Sequence, residues 1–308
     1  MRIDGNAGES RHGRDKVSLW SLESGDERIR ILPNSAVLVD YGPMHLFIRA
    51  SDRGKPLVDL AEAGAREAIK VLEDLARFLP VIRRRAWEIE TEEDYPDVVR
   101  RMIDATRKME EPDLTPLAAV AGAASDVVAD YVIGNGATKV TVDNGGDIAI
   151  RLREGDVARV GIKLDINAEK PVYVLSIDSS LELGGVATSG LGGRSFTKGI
   201  ASAATVVAVN ASLADAAATV IGNFTNVEDS NIRRSLAEEI YPDTDIAGEW
   251  VTTEVGRLSK RKIKKALKNG LGKADVICEK GLIKGALIAL QGEVVWTRSL
   301  DLMLQKLE

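Results

Sequence analysis

The chain has 308 residues, of which 44% are hydrophobic and 29% charged, a composition typical of a soluble globular protein with a substantial core. Its net charge of −6 argues against the basic surface that general nucleic-acid binding requires, so no nucleic-acid partner is expected. One cysteine and two histidines exclude an internal disulfide and a thiolate metal cluster, and they nearly exclude a multi-histidine metal site.

The sequence shows neither a secretory signal at its start nor an apolar run long enough to span a membrane. Residues 1–6 lack the apolar stretch of a secretory signal. The longest weakly polar runs, residues 117–124 and 200–209, are shorter than the roughly 20 residues that a membrane helix needs. We therefore expect a cytoplasmic protein with no membrane partner.

The first part of the chain predicts a polar tail followed by an antiparallel meander. Residues 1–16 are polar and contain glycines, so we expect them to be disordered. Gly25, Pro33-Asn34 and Gly42-Pro43 then separate short strand-like runs. These strands are predicted at residues 16–22, 27–32, 35–40 and 45–50.

Three helical patterns come next, at residues 59–79, 97–109 and 117–131. The third is rich in alanine, which indicates a helix packed closely on both sides. Between the first two lies Arg83-Arg84-Arg85. We interpret this run as a solvated turn, with a phosphate contact as the alternative.

The remaining sequence mixes strands and helices, and we interpret residues 17–308 as one α+β domain. Helices are predicted from residue 213 onward, over 230–240 and over 259–267. Strands are predicted at residues 138–142, 148–152, 159–164, 171–177, 205–209, 283–290 and 294–296.

Asp215 and Thr219 lie four residues apart, about one helical turn, on a helix otherwise made of small and apolar residues. A carboxylate and a hydroxyl on one face can together hold a hard cation such as Mg²⁺. The alternative is a helix that packs closely through its alanines, with Asp215 favoured by the helix dipole.

Two glycine-rich stretches could contact a ligand. Asn144-Gly145-Gly146-Asp147 would let a nucleotide approach the backbone while Asp147 accepts hydrogen bonds; the alternative is a hairpin turn. The stretch at residues 188–194 offers hydroxyls, free amides and a guanidinium, the parts of a phosphate cradle; the alternative is a surface loop. Its candidate ligand-binding residues are Thr188, Ser189, Gly190, Gly193 and Arg194.

In this order, these stretches resemble one family, the ApbE-like superfamily, whose members include Mg²⁺-dependent FAD:protein FMN transferases. The family pattern is an alanine- and glycine-bearing helix ending in Asp, a strand with Asn-x-Gly-Gly-Asp-Ile, a Ser/Thr-Ser-Gly loop, a valine strand and Ala-Asp-Ala-x-Ala-Thr. The matching segments are residues 118–126, 144–148, 187–190, 205–209 and 214–219. The resemblance covers residues 115–224 well and the flanks loosely.

The resemblance implies a T-fold-related α+β fold with a mixed sheet and packed helices. It also implies FAD and Mg²⁺ as cofactors, with the metal held by Asp215, Thr219 and a backbone carbonyl of the alanine-rich helix. Asn144, Gly145, Gly146 and Asp147 would border the nucleotide. Thr188 and Ser189 would lie near its phosphates or its flavin ring.

The sequence departs from the transferases at three places. Residues 193–201 replace a histidine-bearing segment and contain no histidine; Ala121 takes the place of a lysine; and no export signal is found. These features resemble a shorter branch of the superfamily in which Gly-Gly-Arg-Ser replaces the histidine segment. Arg194 and Asp147 then become the candidate catalytic residues, with Lys198 as a second candidate cation.

Three functions remain open from the sequence. The first is a Mg²⁺-dependent enzyme acting on FAD, as an FMN transferase with an acceptor protein or by cleaving the diphosphate. The second is a flavin-binding module that does not cleave its ligand. The third is an oligomeric scaffold. Since exposed sheet edges favour self-association, we expect a homodimer.

Overall fold

The computed structural model describes residues 26–90, 94–166 and 168–307. The predicted tail at residues 1–16 and the strand predicted at 16–22 lie outside the described residues. The α-helices are α1 (Val58–Arg77), α2 (Leu79–Ile82), α3 (Asp97–Lys108), α4 (Val120–Gly134), α5 (Ala211–Phe224), α6 (Ala237–Ile240) and α7 (Lys260–Glu279).

Most of the described strands belong to one large sheet. The strands are β1 (Ile29–Ile31), β2 (Val37–Tyr41), β3 (Met44–Asp52), β4 (Lys55–Pro56), β5 (Lys139–Asn144), β6 (Asp147–Leu152), β7 (Val157–Ile162), β8 (Tyr173–Asp178), β9 (Gly185–Ser189), β10 (Ala203–Ala208), β11 (Ile232–Leu236), β12 (Trp250–Val255), β13 (Gly285–Leu290), β14 (Glu293–Trp296) and β15 (Leu304–Lys306). The large sheet has the order β1-β2-β3-β5-β6-β9-β10-β13-β14, with β4 beside β3. Two smaller sheets pair β11 with β12 and order the remaining strands β15-β8-β7.

The α+β class with helices packed on a sheet is confirmed. Within that class, every strand pairing among the described residues is antiparallel, where we expected a mixed sheet. The physical reason is the connectivity: the meander β1–β2–β3 and the hairpins β5–β6 and β13–β14 join neighbours through short turns. Such turns produce antiparallel pairs, whereas parallel pairs need long crossovers.

The centre of the large sheet is covered on both faces. One face packs against the helices and forms the main core, which includes Val206. The other face packs against the β15-β8-β7 sheet, in a second cluster that includes Val207 and Leu175. Because successive side chains of a strand point to opposite faces, β10 is buried along its whole length, and its residues are apolar except for Thr205.

Helix α4 packs between α1 and α5 and on strands of the sheet. The segment Pro116–Gly134, which contains α4, has the length and apolar composition of a membrane-spanning helix, and half of its most apolar window is buried inside the fold. A core helix of a soluble protein has the same properties. Its first residues, Pro116–Ala119, form a 3₁₀ turn, so the α-helix begins three residues later than predicted.

Two sequence predictions need correction. The helix predicted over residues 230–240 is instead strand β11 followed by the four-residue helix α6. The pairing of β11 with β12, which contains Val251, Thr252 and Thr253, outweighs the helical preference of residues such as Leu236 and Glu238. In the stretch at residues 188–194, for which a surface loop was the alternative, Thr188 and Ser189 belong to strand β9, which pairs with β10 and β6.

Candidate functional site

Helix α5 is both a closely packed core helix and a helix with two polar side chains on one open face, the two interpretations that its sequence left open. Between residues 211 and 222, every side chain is buried except Asp215 and Thr219, which are half-buried. The helix begins at Asn210, whose side chain accepts a hydrogen bond from the amide of Leu213 at 2.9 Å. The alanines therefore pack the helix into the core, and the two polar residues face the one open side.

Gly122 of α4 lies against this helix. A Cβ at Gly122 would overlap the carbonyl oxygen of Ala211 and come within 2.9 Å of the Cβ of Asp215. The close approach lets the amide of Gly122 donate a hydrogen bond to Oδ2 of Asp215 at 2.9 Å. The glycine of the first matching segment thus positions the carboxylate of the last one.

Asp147, the first residue of β6, is a second carboxylate at the same place. Its Oδ1 accepts a hydrogen bond from the amide of Thr188 at 3.3 Å, and its carbonyl oxygen accepts one from the hydroxyl of Ser125 at 2.9 Å. Burial raises the pKa of Asp147 to about 7. Burial, together with the nearby charge of Asp147, also raises the pKa of Asp215 well above its usual range.

Arg194 lies across the β5–β6 turn. Its Nη1 donates to the carbonyl oxygen of Pro43 and its Nη2 donates to that of Asn144, each at 3.1 Å. Gly145 has a φ of +71°, and a Cβ there would overlap the guanidinium. The glycine pair therefore has two uses: it allows the turn, and it makes room for Arg194.

The carboxylates of Asp147 and Asp215, the hydroxyl of Thr219 and the guanidinium of Arg194 line one cavity of about 660 Å³. The sequence placed these four residues on three separate segments. The β5–β6 hairpin, the loop after β9 and helix α5 bring them together. Leu117, Ala118, Val120 and Ala121, from the segment where α4 begins, supply an apolar part of the wall.

The other predicted ligand-binding residues do not line this cavity. Asn144 and Gly145 hold Arg194, and the turn continues through Gly146, whose amide donates to Asp143 at 2.8 Å. Thr188 orients Asp147 through its amide, while its hydroxyl pairs with that of Thr205 at 2.9 Å.

Ser189, Gly190 and Gly193 also lie outside the cavity wall. The hydroxyl of Ser189 is 3.8 Å from where a Cβ on Gly222 would lie, so this serine packs against α5. Gly193 donates its amide to the carbonyl of Gly190 at 3.2 Å and so shapes the loop that carries Arg194. These residues therefore support the elements that carry the cavity residues and do not themselves line the cavity.

Sequence reasoning missed one whole wall of the cavity. Residues 240–246, which we call the strap, contribute most of their side chains to the lining. Asp243 of the strap binds Arg83 through Nη1 at 2.6 Å and Nη2 at 2.7 Å, and Asp245 accepts a hydrogen bond from the hydroxyl of Thr115. The only local sequence signal was Pro242-Asp243, a turn pair.

The arginine run is therefore not a solvated turn at its two ends. Arg83 lines the cavity and anchors the strap, and Arg85 pairs with Glu249 at 3.2 Å. The oxygen partners lie about 160 residues away along the chain. A local reading of three arginines could not have found them.

Lys198 also faces the cavity, but two carboxylates hold it. Its ammonium pairs with Asp113 and with Glu249, the latter at 2.9 Å. Burial alone would lower the pKa of Lys198, and these two hydrogen bonds raise it. Lys198 is thus a bound cation in this structure, whereas the charge of Arg194 is held only by backbone oxygens among the described residues.

The donor set fits Mg²⁺. Burial raises the pKa of both carboxyl groups, and the charge of Asp147 raises that of Asp215 further. A divalent cation would stabilise such closely placed carboxylates, and Thr219 adds a neutral oxygen. The described residues contain no group of three His, Cys, Asp or Glu side chains arranged to hold a metal. Mg²⁺ commonly takes one or two carboxylates from a protein and completes its coordination with water and phosphate oxygens.

Comparison with known proteins agrees with this architecture. A UPF0280 protein of Methanosarcina barkeri is 35% identical over 197 residues, which are 61% of this chain and 76% of that protein. A UPF0280 protein of Methanopyrus kandleri is 36% identical over 189 residues, 59% of this chain and 73% of that protein. The structure of the flavinyl transferase ApbE of Pseudomonas stutzeri, in its apo form, aligns with a TM-score of 0.50 at 13% identity, covering 88% of this chain and 97% of that one.

The fold and the cavity together define an α+β protein of the ApbE-like superfamily. A family model described as AbpE bacteria matches residues 29–296, and the chain belongs to that family. The match extends well beyond residues 115–224, the part in which the sequence resemblance was clear.

Proposed function

We propose that this protein binds FAD together with Mg²⁺ in the cavity between α5, the β5–β6 hairpin and the strap, and that it acts on the diphosphate of the nucleotide. The observation that carries the proposal is the meeting of Asp147, Asp215, Thr219 and Arg194 in one cavity of about 660 Å³. Such a volume lies within the usual range for small-molecule sites. The similarity in fold to a flavinyl transferase supports a flavin nucleotide as the ligand.

Each of the four cavity residues would have a distinct role in binding the nucleotide and in the reaction. Asp215 and Thr219 would hold Mg²⁺, which when bound would neutralise charge on the diphosphate oxygens. Arg194, fixed by backbone oxygens on one side, would donate hydrogen bonds to a phosphate. Asp147, whose pKa is raised to about 7, would accept a proton from an attacking hydroxyl group.

The nature of that hydroxyl group separates two forms of the enzyme. Transfer of FMN to a protein side chain would require an acceptor protein, while attack by water would release FMN and AMP. Of these two reactions, we propose FMN transfer to an acceptor protein. We also propose that the protein acts as a homodimer in the cytoplasm.

A second candidate function is FAD binding without cleavage. It is favoured by the absence of histidine from residues 193–201 and by the position of His45, which is half-exposed on β3, 3.5 Å from Asp40. His12 lies outside the described residues. Among the described residues no histidine lines this cavity, so a step that needs an imidazole would have to use a different group of that part of the chain.

Incubation of the purified protein with FAD, with and without Mg²⁺, tests the proposal. We expect bound flavin by fluorescence and AMP release by chromatography, both dependent on Mg²⁺, and both strongly reduced in Asp215→Asn. Asp156→Asn, at a half-buried position just before β7 and outside the cavity, is the control that removes the same charge elsewhere. Tight FAD binding with no AMP in any condition would favour the binding module, and no flavin binding at all would rule out both functions.

A further inference from the structure

Two aromatic side chains line the candidate cavity, in a chain of which only 4% is aromatic. Phe196 belongs to the loop after β9 and is half-buried, whereas Tyr241 belongs to the strap and is 55% exposed. An exposed tyrosine in a cavity wall presents a large flat surface to whatever enters. Of the two rings, Tyr241 is the more accessible.

The strap is held in place without using the side chain of Tyr241. Asp243 is bound by Arg83, Asp245 is bound by Thr115, and the carbonyl of Tyr241 accepts a hydrogen bond from the amide of Thr244 at 3.1 Å. The hydroxyl of Tyr241 has no hydrogen-bond partner among the described residues. The backbone beneath the ring is therefore fixed by groups other than the ring itself.

Several apolar side chains line the same cavity as Tyr241. Ile240, its neighbour on the strap, is 45% exposed and lines the same cavity. The segment that begins α4 adds Leu117 and Val120. The strap also carries Asp243, bound by Arg83, and Asp245, bound by Thr115. Asp147, Arg194 and Asp215 come instead from the hairpin, the loop after β9 and α5, so the cavity has a charged part as well as apolar and aromatic wall residues.

We propose that Tyr241 is a specificity-determining residue that stacks on a planar heteroaromatic ring of the nucleotide, while the phosphates lie at Arg194 and the carboxylates. This inference rests on the proposed function, because it assumes that the ligand of the cavity is a nucleotide. Stacking on an aromatic side chain contributes roughly 1–3 kcal/mol per base, and each 1.4 kcal/mol is a factor of ten in affinity. Loss of the ring should therefore weaken binding by about 5- to 100-fold.

Calorimetric titration of Tyr241→Ala with FAD, and separately with magnesium pyrophosphate, tests the stacking role. We expect FAD to bind about 5- to 100-fold more weakly and magnesium pyrophosphate, which has no ring, to bind as in the wild type. Tyr241→Phe keeps the ring and should stay within about twofold of the wild type. Tyr131→Ala, which removes an exposed tyrosine of α4 that does not line the cavity, is the matched control.

Flavin fluorescence is a second measurement, and it distinguishes the loss of stacking from a general loosening of the strap. If the flavin ring is the stacked one, its quenching on binding should diminish in Tyr241→Ala and persist in Tyr241→Phe. Unchanged FAD affinity in Tyr241→Ala, or an equal loss of pyrophosphate binding, would overturn the stacking role and leave the proposed function standing. A loss confined to Phe196→Ala would assign stacking to the other ring, and a wild type that binds pyrophosphate but not FAD would overturn both proposals.

Discussion

Gly122 is the residue on which the position of Asp215, one of the two proposed metal ligands, depends. Its missing side chain allows α4 to lie against the first turn of α5 and allows its amide to reach Asp215. In Gly122→Ala the new methyl group would overlap the backbone of Ala211, which cannot move away as a flexible side chain could. We expect a loss of about 1–3 kcal/mol in the free energy of unfolding, as for other overpacked cores, and weaker Mg²⁺ binding.

The matched control is Gly134→Ala at the other end of the same helix. A Cβ there meets nothing within 4 Å, and alanine favours helix over glycine by up to about 1 kcal/mol. Urea unfolding followed by circular dichroism compares the two variants. The packing argument fails if Gly122→Ala is as stable as Gly134→Ala, since both gain the same helical propensity.

Asp126 belongs to a motif that the sequence identified, but its structural role could not be predicted from that motif. The resemblance identified it as the end of the alanine-rich helix, but its role depends on distant partners. It is fully buried, accepts hydrogen bonds from the amides of Ala211 and Ser212 at 3.0 and 2.8 Å, and pairs with Arg151 at 2.9 Å. It caps the helix that bears Asp215, so part of the family signature supports the site without contacting a ligand.

At the scale of elements, the β5–β6 turn offers a prediction with an internal control. Gly145 and Gly146 both have positive φ values, +71° and +106°, so alanine is strained at either position. Only at Gly145 would a Cβ also overlap the guanidinium of Arg194, because the space beside Gly146 is open within 4 Å. Gly145→Ala should therefore displace Arg194, and Gly146→Ala should not.

We expect Gly145→Ala to lower FAD affinity about as much as Arg194→Ala does, and Gly146→Ala to bind FAD nearly as the wild type does. Both glycine variants should lose similar stability, roughly 1–2 kcal/mol, from the positive φ. Calorimetry with FAD and Mg²⁺ measures the affinities, and urea unfolding measures the stability. If the two glycine variants lose FAD affinity equally, the turn itself and not the position of Arg194 is what matters.

The elements that sequence predicted well are those with strong local patterns. Helices α1 and α3 have apolar residues at helical spacing and end within a few residues of the predicted positions, and the β5–β6 hairpin follows its Asn-Gly turn. Strand β11 and the strap were missed, because their structure depends on pairing with β12 and on anchors such as Arg83 that are distant along the chain. The site followed the same rule: Asp147, Arg194, Asp215 and Thr219 came from recognisable motifs, whereas Tyr241 was brought there by the fold. Lys198 was a candidate cation from the sequence, but its pairing with Asp113 and Glu249 depends on the fold.

At the scale of the whole molecule, two cores share one sheet. Val206 and Ile288 belong to the helix-side core, whereas Val207 and Leu287 belong to the core beneath the small sheet. Low aromatic content makes such packing depend on many small side chains, as the alanines of α4 and α5 show. The domain limits and the homodimer stay predictions; sedimentation analysis of the full chain would measure the oligomeric state.

The reactivity of the single cysteine should report on the stability of the folded chain. Cys278 lies near the end of α7, a helix that packs on α5, β13 and β14. Burial raises the pKa of its thiol to about 11, so at pH 8 only about one thiol in a thousand is the reactive thiolate. Unfolding restores an ordinary pKa of about 8.5, at which roughly a quarter is thiolate.

Alkylation with iodoacetamide at pH 8, followed by intact mass, should therefore be about 100-fold slower in the native chain than in urea, and the native rate should rise with pH up to about 11. A ligand that binds the native state at 100 times its Kd stabilises it by about 2.7 kcal/mol. FAD with Mg²⁺ should thus shift the urea midpoint of labelling upward, and Asp215→Asn should abolish that shift. Native labelling as fast as in urea would contradict the raised pKa of the partly buried thiol. A midpoint that FAD does not move would contradict binding to the folded molecule.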